Sequence, residues 1–168
     1  MRISTTKLIL FGLIGVFFAQ MIFYYPNLGE TVATHFDAVG QPNGLMPKRV
    51  FMTFEIALLL LLVSEALLIP LIIEKVPVRF LSIPNREYWL ADERRAETFS
   101  SIRSFFEVLG VATVTFFIVV NQLVFRANIN RENLQVWVFL TIFTVFVVTM
   151  SVWLLKFVRR FRIPKRVQ

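Results

Sequence analysis

The sequence contains no cysteine and a single histidine, His35, in 168 residues. Without cysteine the chain cannot form disulfides or thiolate metal sites, and it has neither a cysteine nucleophile nor a thiol redox centre. Charged residues are scarce at 17%, whereas 57% of the residues are hydrophobic and 19 are phenylalanine. This composition excludes an ordinary water-soluble domain and is typical of a membrane protein.

The apolar residues form four long blocks rather than periodic patches. Each block is close to the ~20 residues with which a helix crosses ~30 Å of hydrocarbon. We therefore predict an all-α integral membrane protein with one membrane domain, residues 1–168, and four transmembrane helices at about residues 8–25, 51–73, 102–125 and 134–157. A secretory signal peptide is the alternative for the first block, but that block continues to Tyr25 without a small-x-small cleavage site.

Two local features refine these helices. Asp92 and Glu93 precede an apolar periodicity of three and four residues, so we expect the third helix to begin near Ala91, ahead of its membrane span. In the first block, Gly12 and Gly15 are either a close-packing face or ordinary small residues of a membrane helix.

Basic residues are distributed unevenly among the segments that connect the spans. The N-terminus, the 74–101 loop with its flanks and the C-terminal end carry two, six and six Lys and Arg residues, whereas the 26–50 and 126–133 connections carry two each. The positive-inside rule predicts that both termini and the 74–101 loop are cytoplasmic, in a bacterial inner membrane, and that the 26–50 loop faces outward. These positions favour topology signals and anionic lipid contacts over nucleic-acid binding.

The polar 26–50 loop holds His35 and three of the six glycines. Its sequence Gly40-Gln-Pro-Asn-Gly44 combines a proline, which fixes φ, with an Asn-Gly pair that readily adopts positive φ, and this predicts a compact, turn-rich loop or small hairpin. We expect the loop to present a recognition surface formed by Thr34, His35, Phe36, Asp37, Gly40, Pro42, Asn43, Gly44 and Lys48.

The same loop contains the residue types that bind divalent metal ions, in His35, Asp37 and Glu30. A zinc site needs three or four converging ligands, and a His-x-Asp pair alone is a weak signal. We therefore expect His35 to be structural, hydrogen-bonded to the loop backbone and packed beside Phe36. Because no nucleophile motif accompanies the single histidine, we predict no enzyme activity and no cofactor.

A second group of candidate residues lies inside the predicted spans: Glu55, Glu65, Glu107, Asn121 and Gln122. A carboxylate in hydrocarbon costs several kcal/mol unless it faces the bundle, pairs or is protonated. Glu55 and Glu65 lie ~80° apart around one helix, so both can face a common interior, where they could form a proton or cation path.

The structural alternative gives each of these glutamates a local partner. Glu55 would cap the outer loop through backbone donors or Lys48, and Glu65 would form a hydrogen bond between helices. Glu107 would pair with Arg103, one turn before it.

The motif Thr34-His35-Phe36-Asp37, followed by Gly40-Gln41-Pro42-Asn43-Gly44 and Lys48 between two spans, resembles a small bacterial membrane domain of unknown function. That domain also forms the N-terminal part of SdpI-type toxin-immunity proteins. The resemblance covers about residues 8–70 and implies a membrane fold with a characteristic loop, without an established chemistry. Asp37 stands where the family often has Asn, and Leu45-Met46-Pro47 replaces a Trp-Gly segment, so the immunity role transfers only weakly.

Three classes of function follow from these features. We favour a non-catalytic accessory subunit or immunity-like recognition protein, whose partner is another membrane protein or an external peptide. The first alternative is a minimal proton or cation transporter that uses Glu55, Glu65 and Glu107. The second is a metal-dependent membrane enzyme centred on His35.

Overall fold

A computed structural model describes residues 4–162 of the chain. Its elements, in chain order, are helix α1 (Thr5–Tyr24), strands β1 (Thr31–Phe36) and β2 (Pro42–Pro47), and helices α2 (Lys48–Lys75), α3 (Arg86–Trp89), α4 (Asp92–Asn130) and α5 (Val136–Arg160). Short 3-10 turns lie at Tyr25–Asn27 and Val78–Phe80. Of the basic residues that predict the orientation, Arg2, Lys165 and Arg166 lie outside the described residues.

Four helices, α1, α2, α4 and α5, are long and apolar enough to cross a membrane. The fold is thus mostly helical with four candidate spans, as the sequence predicts, and indicates a multi-pass membrane protein.

The third membrane helix is longer than its apolar block. Helix α4 begins at Asp92, as its acidic first turn predicts, but it ends at Asn130 rather than near residue 125. At 1.5 Å per residue its 39 residues extend about 58 Å, well beyond the ~30 Å of a hydrocarbon layer. Arg131, with φ of 56°, ends the helix in a left-handed conformation, so the connection to α5 is shorter than predicted.

Helix α4 lies at the centre of the bundle, in contact with α1, α2 and α5. Phe117 stacks on Phe17 of α1, and Phe125 packs edge-on against Phe51 of α2. Helix α5 contributes no buried residue over Val136–Arg160 and touches α4 mainly through aromatic pairs such as Phe116 with Phe146, whose centroids are 4.6 Å apart. The bundle is therefore three helices packed closely together with a fourth on its edge.

Helices α2 and α4 approach each other closely at Gly110 and Ala66. A Cβ placed on Gly110 would lie 2.3 Å from the Cβ of Ala66, so only glycine fits at this crossing. By contrast, a Cβ on Gly12 or Gly15 would meet nothing within 4 Å. The close-packing interpretation of the first helix is therefore wrong within this chain, and the glycine that allows close packing is on α4.

Ion pairs join the helices at the end of the bundle where α1 begins and α5 ends, which we call the termini side. Glu107 of α4 accepts a hydrogen bond from Ser4 at 2.7 Å and pairs with Lys7 at 3.4 Å. Arg103 instead pairs with Glu74, at the end of α2. The predicted Glu107–Arg103 pair is therefore wrong, because each side chain is directed to a different neighbouring helix rather than along α4.

The Gly110 crossing leads to a stability prediction. We expect Gly110→Ala to destabilise the protein by about 1–3 kcal/mol, because the added methyl group overpacks a closed interface. The matched control is Gly12→Ala, where the added Cβ has open space around it. The measurement is the midpoint of thermal unfolding in mild detergent.

A second variant makes this prediction specific. Gly110→Ala combined with Ala66→Gly moves the methyl group from one helix to the other and should recover much of the lost stability. Equal midpoints for Gly110→Ala and Gly12→Ala would show that the α2–α4 crossing is not closely packed.

Candidate functional site

The segment between α1 and α2 forms an antiparallel hairpin, in which Thr31 pairs with Pro47 and Phe36 with Pro42. Its turn is organised by Asp37, whose Oδ1 accepts hydrogen bonds from the backbone N–H groups of Val39 at 3.0 Å and Gln41 at 2.8 Å. Because the carboxylate is bonded to the backbone of its own turn, Asp37 has a structural role in the hairpin.

The turn lies earlier in the sequence than the Asn-Gly pair predicts. Gly40 has φ of +84°, and a Cβ there would lie 2.2 Å from the Leu134 carbonyl oxygen. Asn43 and Gly44 instead belong to β2. Gly44 lies against the ring of His35, since a Cβ at this position would be 2.9 Å from the His35 Cβ. Gly40 therefore provides the positive φ of the turn, whereas Gly44 permits a close contact with His35 inside the strand. The two glycines do not belong to the same turn.

His35 is exposed and its Nδ1 lies 3.0 Å from the Thr34 hydroxyl oxygen. From the sequence we expected His35 to bond to the loop backbone. Its hydrogen-bond partner is instead the neighbouring side chain of Thr34. Within residues 4–162 no three His, Asp or Glu side chains come together as metal ligands, so His35, Asp37 and Glu30 remain separate.

The hairpin is held on the bundle by Asn128, near the end of α4. The Asn128 Oδ1 accepts a hydrogen bond from the Ala33 N–H at 2.7 Å, and its Nδ2 donates to the Ala33 carbonyl at 3.0 Å. The amide side chain thus bonds both backbone groups of Ala33, as a neighbouring strand would. Beside it, Val32 is fully buried against the bundle.

Two further contacts fix the tip and the base of the hairpin. At the tip, the Leu134 N–H donates to the Gly40 carbonyl at 2.8 Å. At the base, Lys48 donates from its backbone N–H to the Glu30 carbonyl and from Nζ to the Leu28 carbonyl at 3.1 Å, with Nζ 4.8 Å from the Tyr25 ring centroid. Lys48 therefore closes the loop without Glu55.

Glu55 forms a buried contact between helices. Its Oε2 accepts a hydrogen bond from Asn121 Nδ2 at 2.6 Å, and the two residues are only 6% and 3% exposed. The expected cap of the outer loop by Glu55 is wrong, because the carboxylate points into the α2–α4 interface.

The next residue of α4 makes the corresponding contact with α1. Gln122 donates to the Tyr24 hydroxyl and accepts from Gln20 Nε2 at 2.9 Å. Gln20 Nε2 also donates to the Ile118 carbonyl. Asn121 and Gln122, adjacent in sequence, thus bind α2 and α1 on two sides of α4.

The three intramembrane glutamates have separate environments. Glu107 lies on the termini side with Lys7, and Glu55 lies with Asn121 closer to the hairpin. Glu65 is half-buried, and no hydrogen bond reaches its carboxylate from the described part of the chain. Since ten residues of helix separate Glu55 from Glu65, about 15 Å lies between them along the axis.

The hairpin exposes two large apolar side chains, one in its turn and one in strand β2. Val39 is 65% exposed and Leu45 69%, although both belong to a segment that is otherwise tied to the bundle. Trp137, at the start of α5, is 83% exposed. An open cleft of about 690 Å³ runs between Val39 and the beginning of α5.

Sequence reasoning identified the hairpin but missed Asn128, Leu134 and Trp137. Asn128 lies in the predicted connection 126–133, where a polar residue is unremarkable. The available signal is the spacing of Asn121 and Asn128, seven residues apart, which places two amides on one face of a continued helix. Their role depends on what that face contacts, which the sequence alone does not specify.

Comparison with known families gives one match, over the segment that contains the hairpin. Residues 12–61 match the family model of a domain of unknown function, DUF1648. The match covers most of α1, the whole hairpin and the first half of α2. No curated protein and no solved structure matches the chain significantly.

The Asn128 contact leads to a prediction about hairpin order. We expect Asn128→Ala to leave the buried N–H and C=O of Ala33 unpaired, at a cost of about 1–3 kcal/mol. Amide hydrogen exchange in residues 31–36 should accelerate, whereas exchange in the middle of α4 should be unchanged. The control is Asn133→Ala, at an exposed position of the adjacent connection. Unchanged exchange in β1 would mean that Asn128 does not hold the hairpin.

Proposed function

We propose that this protein is a non-catalytic recognition protein of the bacterial inner membrane, which binds its partner through the hairpin. The observation that carries the proposal is the combination of a fixed hairpin with exposed apolar side chains. Asn128 and Leu134 hold the hairpin in one position, while the side chains of Val39 and Leu45 remain largely exposed. Exposed apolar groups on an ordered loop are typical of a protein-binding surface.

A fixed hairpin favours recognition because binding then requires little ordering. A flexible loop loses conformational entropy when it binds, and a loop already bonded to the bundle avoids that cost. The hairpin also offers its polar residues Thr34 and His35 beside the apolar ones. An apolar centre with nearby polar groups is the usual composition of a protein interface.

We propose that the hairpin faces outward and both termini face the cytoplasm. Support comes from the distribution of basic residues. Among the described residues, the termini side carries Lys7, Arg103, Lys156, Arg160 and others, whereas the hairpin side carries Lys48, Arg49, Arg126 and Arg131. By the positive-inside rule this bias orients the helices.

The partner that we propose is another membrane protein or an external peptide. The likeness of the loop motif to SdpI-type immunity proteins supports an immunity-like role, in which an external peptide contacts the hairpin. An accessory subunit of a larger membrane complex is the second form of the same proposal, and the exposed length of α5 supports it.

The first test is to isolate the tagged protein from its own membranes in mild detergent and to identify accompanying proteins or peptides by mass spectrometry. We expect a stoichiometric companion, and Leu45→Glu should reduce its recovery by about tenfold, since an apolar contact at an interface centre is replaced by a charge. The matched control is Gln41→Glu, which adds the same charge at an exposed position of the same hairpin.

Two results would contradict this proposal. The first is a protein isolated with no companion, and the second is equal recovery with Leu45→Glu and Gln41→Glu.

A proton or cation transporter is the alternative that Glu65 favours. A half-buried carboxylate inside a span, with no hydrogen bond from the described residues, is costly and is a recognised sign of an ion or proton pathway. The separate positions of Glu55 and Glu107 argue against a continuous path. We therefore rank transport below recognition.

The transport alternative has its own test. In proteoliposomes with a pH-sensitive dye inside, a transporter would show a proton flux that Glu65→Gln abolishes and that Glu97→Gln, on the exposed surface of α4, leaves unchanged. Our proposal predicts instead no flux above that of empty vesicles for any of the three proteins.

A further inference from the structure

A cleft of about 360 Å³ opens between α4 and α5 on the termini side, far from the hairpin. Its apolar wall is formed by Phe105 and Phe157, whose rings stack with centroids 4.2 Å apart. Its polar lining residues include Ser104, Lys156 and Arg160. The cleft therefore combines an apolar wall with residues that carry hydrogen-bond donors and two positive charges.

Trp153 also lines this cleft. Its indole Nε1–H is buried and has no hydrogen-bond partner among residues 4–162. Buried tryptophan N–H groups usually find an acceptor, and one that lacks it within the chain is a candidate for binding a ligand.

The charge balance of the cleft favours an anion. Lys156 makes no ion pair with any residue of the described chain, whereas Arg160 lies 3.0 Å from the Glu97 carboxylate. This exposed pair is screened by solvent, and guanidinium has five N–H donors, so Arg160 retains donors for a second acceptor. Two cations against one carboxylate leave a net positive cleft.

The cleft is held in place by contacts at the end of α5. Asn85 Nδ2 and Trp89 Nε1 both donate to the Phe161 carbonyl, at 2.7 and 2.9 Å. Phe161 itself is buried beside Phe157. The C-terminal turn of α5 is therefore fixed against the segment before α4, and the cleft is a built feature rather than a gap between loosely placed helices.

We propose that this cleft binds the phosphate headgroup of an anionic phospholipid. Lysine, arginine and tryptophan near the end of a membrane helix lie at the depth of the headgroups. Hydrogen bonds from Lys156 and Arg160 to phosphate oxygens would be charge-assisted and therefore stronger than bonds between neutral groups. The Trp153 N–H would be a third donor to the headgroup. Above the headgroup, acyl chains can lie along α5, whose Val152 and Leu155 are exposed.

A lipid fits this position better than free phosphate, because the cleft continues into the exposed apolar side of a membrane helix. The proposal is independent of partner recognition, since the cleft and the hairpin are at opposite ends of the bundle. The lipid would occupy the edge where α5 packs on α4, and would add contacts to a helix that contributes no buried residue over Val136–Arg160.

The test uses the full-length protein in mild detergent, titrated with phosphatidylglycerol, and counts bound lipid by native mass spectrometry. We expect one lipid to bind preferentially, and Lys156→Gln with Arg160→Gln to weaken its binding by about tenfold through loss of two charge-assisted contacts. Trp153→Phe keeps the ring but removes the N–H, and should weaken binding by about threefold. The matched control is Arg159→Gln with Arg162→Gln, which removes two nearby charges that do not line the cleft.

A further variant has the opposite expected sign. Glu97→Gln removes the carboxylate that faces Arg160 and should tighten binding by about twofold, as is typical of the small energies of exposed ion pairs. A merely structural role of these residues would not produce tighter binding.

Three outcomes would overturn the proposal. Equal losses of lipid affinity in the two double variants would indicate that anionic lipid is attracted to the basic end of α5 in general and not to this cleft. Equal binding of phosphatidylcholine would remove the selectivity for anionic lipid. Displacement of the lipid by millimolar inorganic phosphate would assign the cleft to a soluble anion.

Discussion

A carboxylate inside an apolar bundle needs a hydrogen-bond donor, and in this chain Glu55 finds its donor in Asn121 on α4. The bond holds α2 against α4 near the hairpin side, while Gly110 permits the two helices to approach closely at Ala66. Helix α4 also contacts α1 and α5, so it is the element that all three other membrane helices share. The hairpin depends on it as well, because Asn128 lies on the extension of the same helix.

The long central helix explains how the two ends of the molecule acquire different characters. Near its C-terminal end, α4 carries Asn128 and thereby fixes a hairpin with exposed apolar residues. On the other side, its first turns meet the end of α5 and form a positively charged cleft. The proposed recognition at one end and the proposed lipid binding at the other are therefore compatible within one helical bundle.

The expectations that rested on composition and on the length of the apolar blocks are the ones that the fold supports. Apolar blocks of membrane length correspond to α1, α2, α4 and α5, and the acidic start near Ala91 corresponds to the beginning of α4. The pairing of polar residues was predicted less well. Arg103 was a reasonable neighbour for Glu107 along the helix, yet both side chains bond to other helices instead. Spacing along one helix identifies possible local pairs, but not the choice between a local and a distant partner.

The sequence by itself determined the spans and the presence of an ordered segment around His35, because hydrocarbon thickness and turn chemistry act locally on the chain. Only the tertiary structure decided that Asn43-Gly44 lies in a strand, that Gly40 makes the turn and that Asn128 holds Ala33. The last two depend on contacts between residues far apart in sequence: Gly40 with Leu134, and Ala33 with Asn128. Such contacts depend on how the helices pack against one another. The identity of a single residue does not specify which distant residue it will contact.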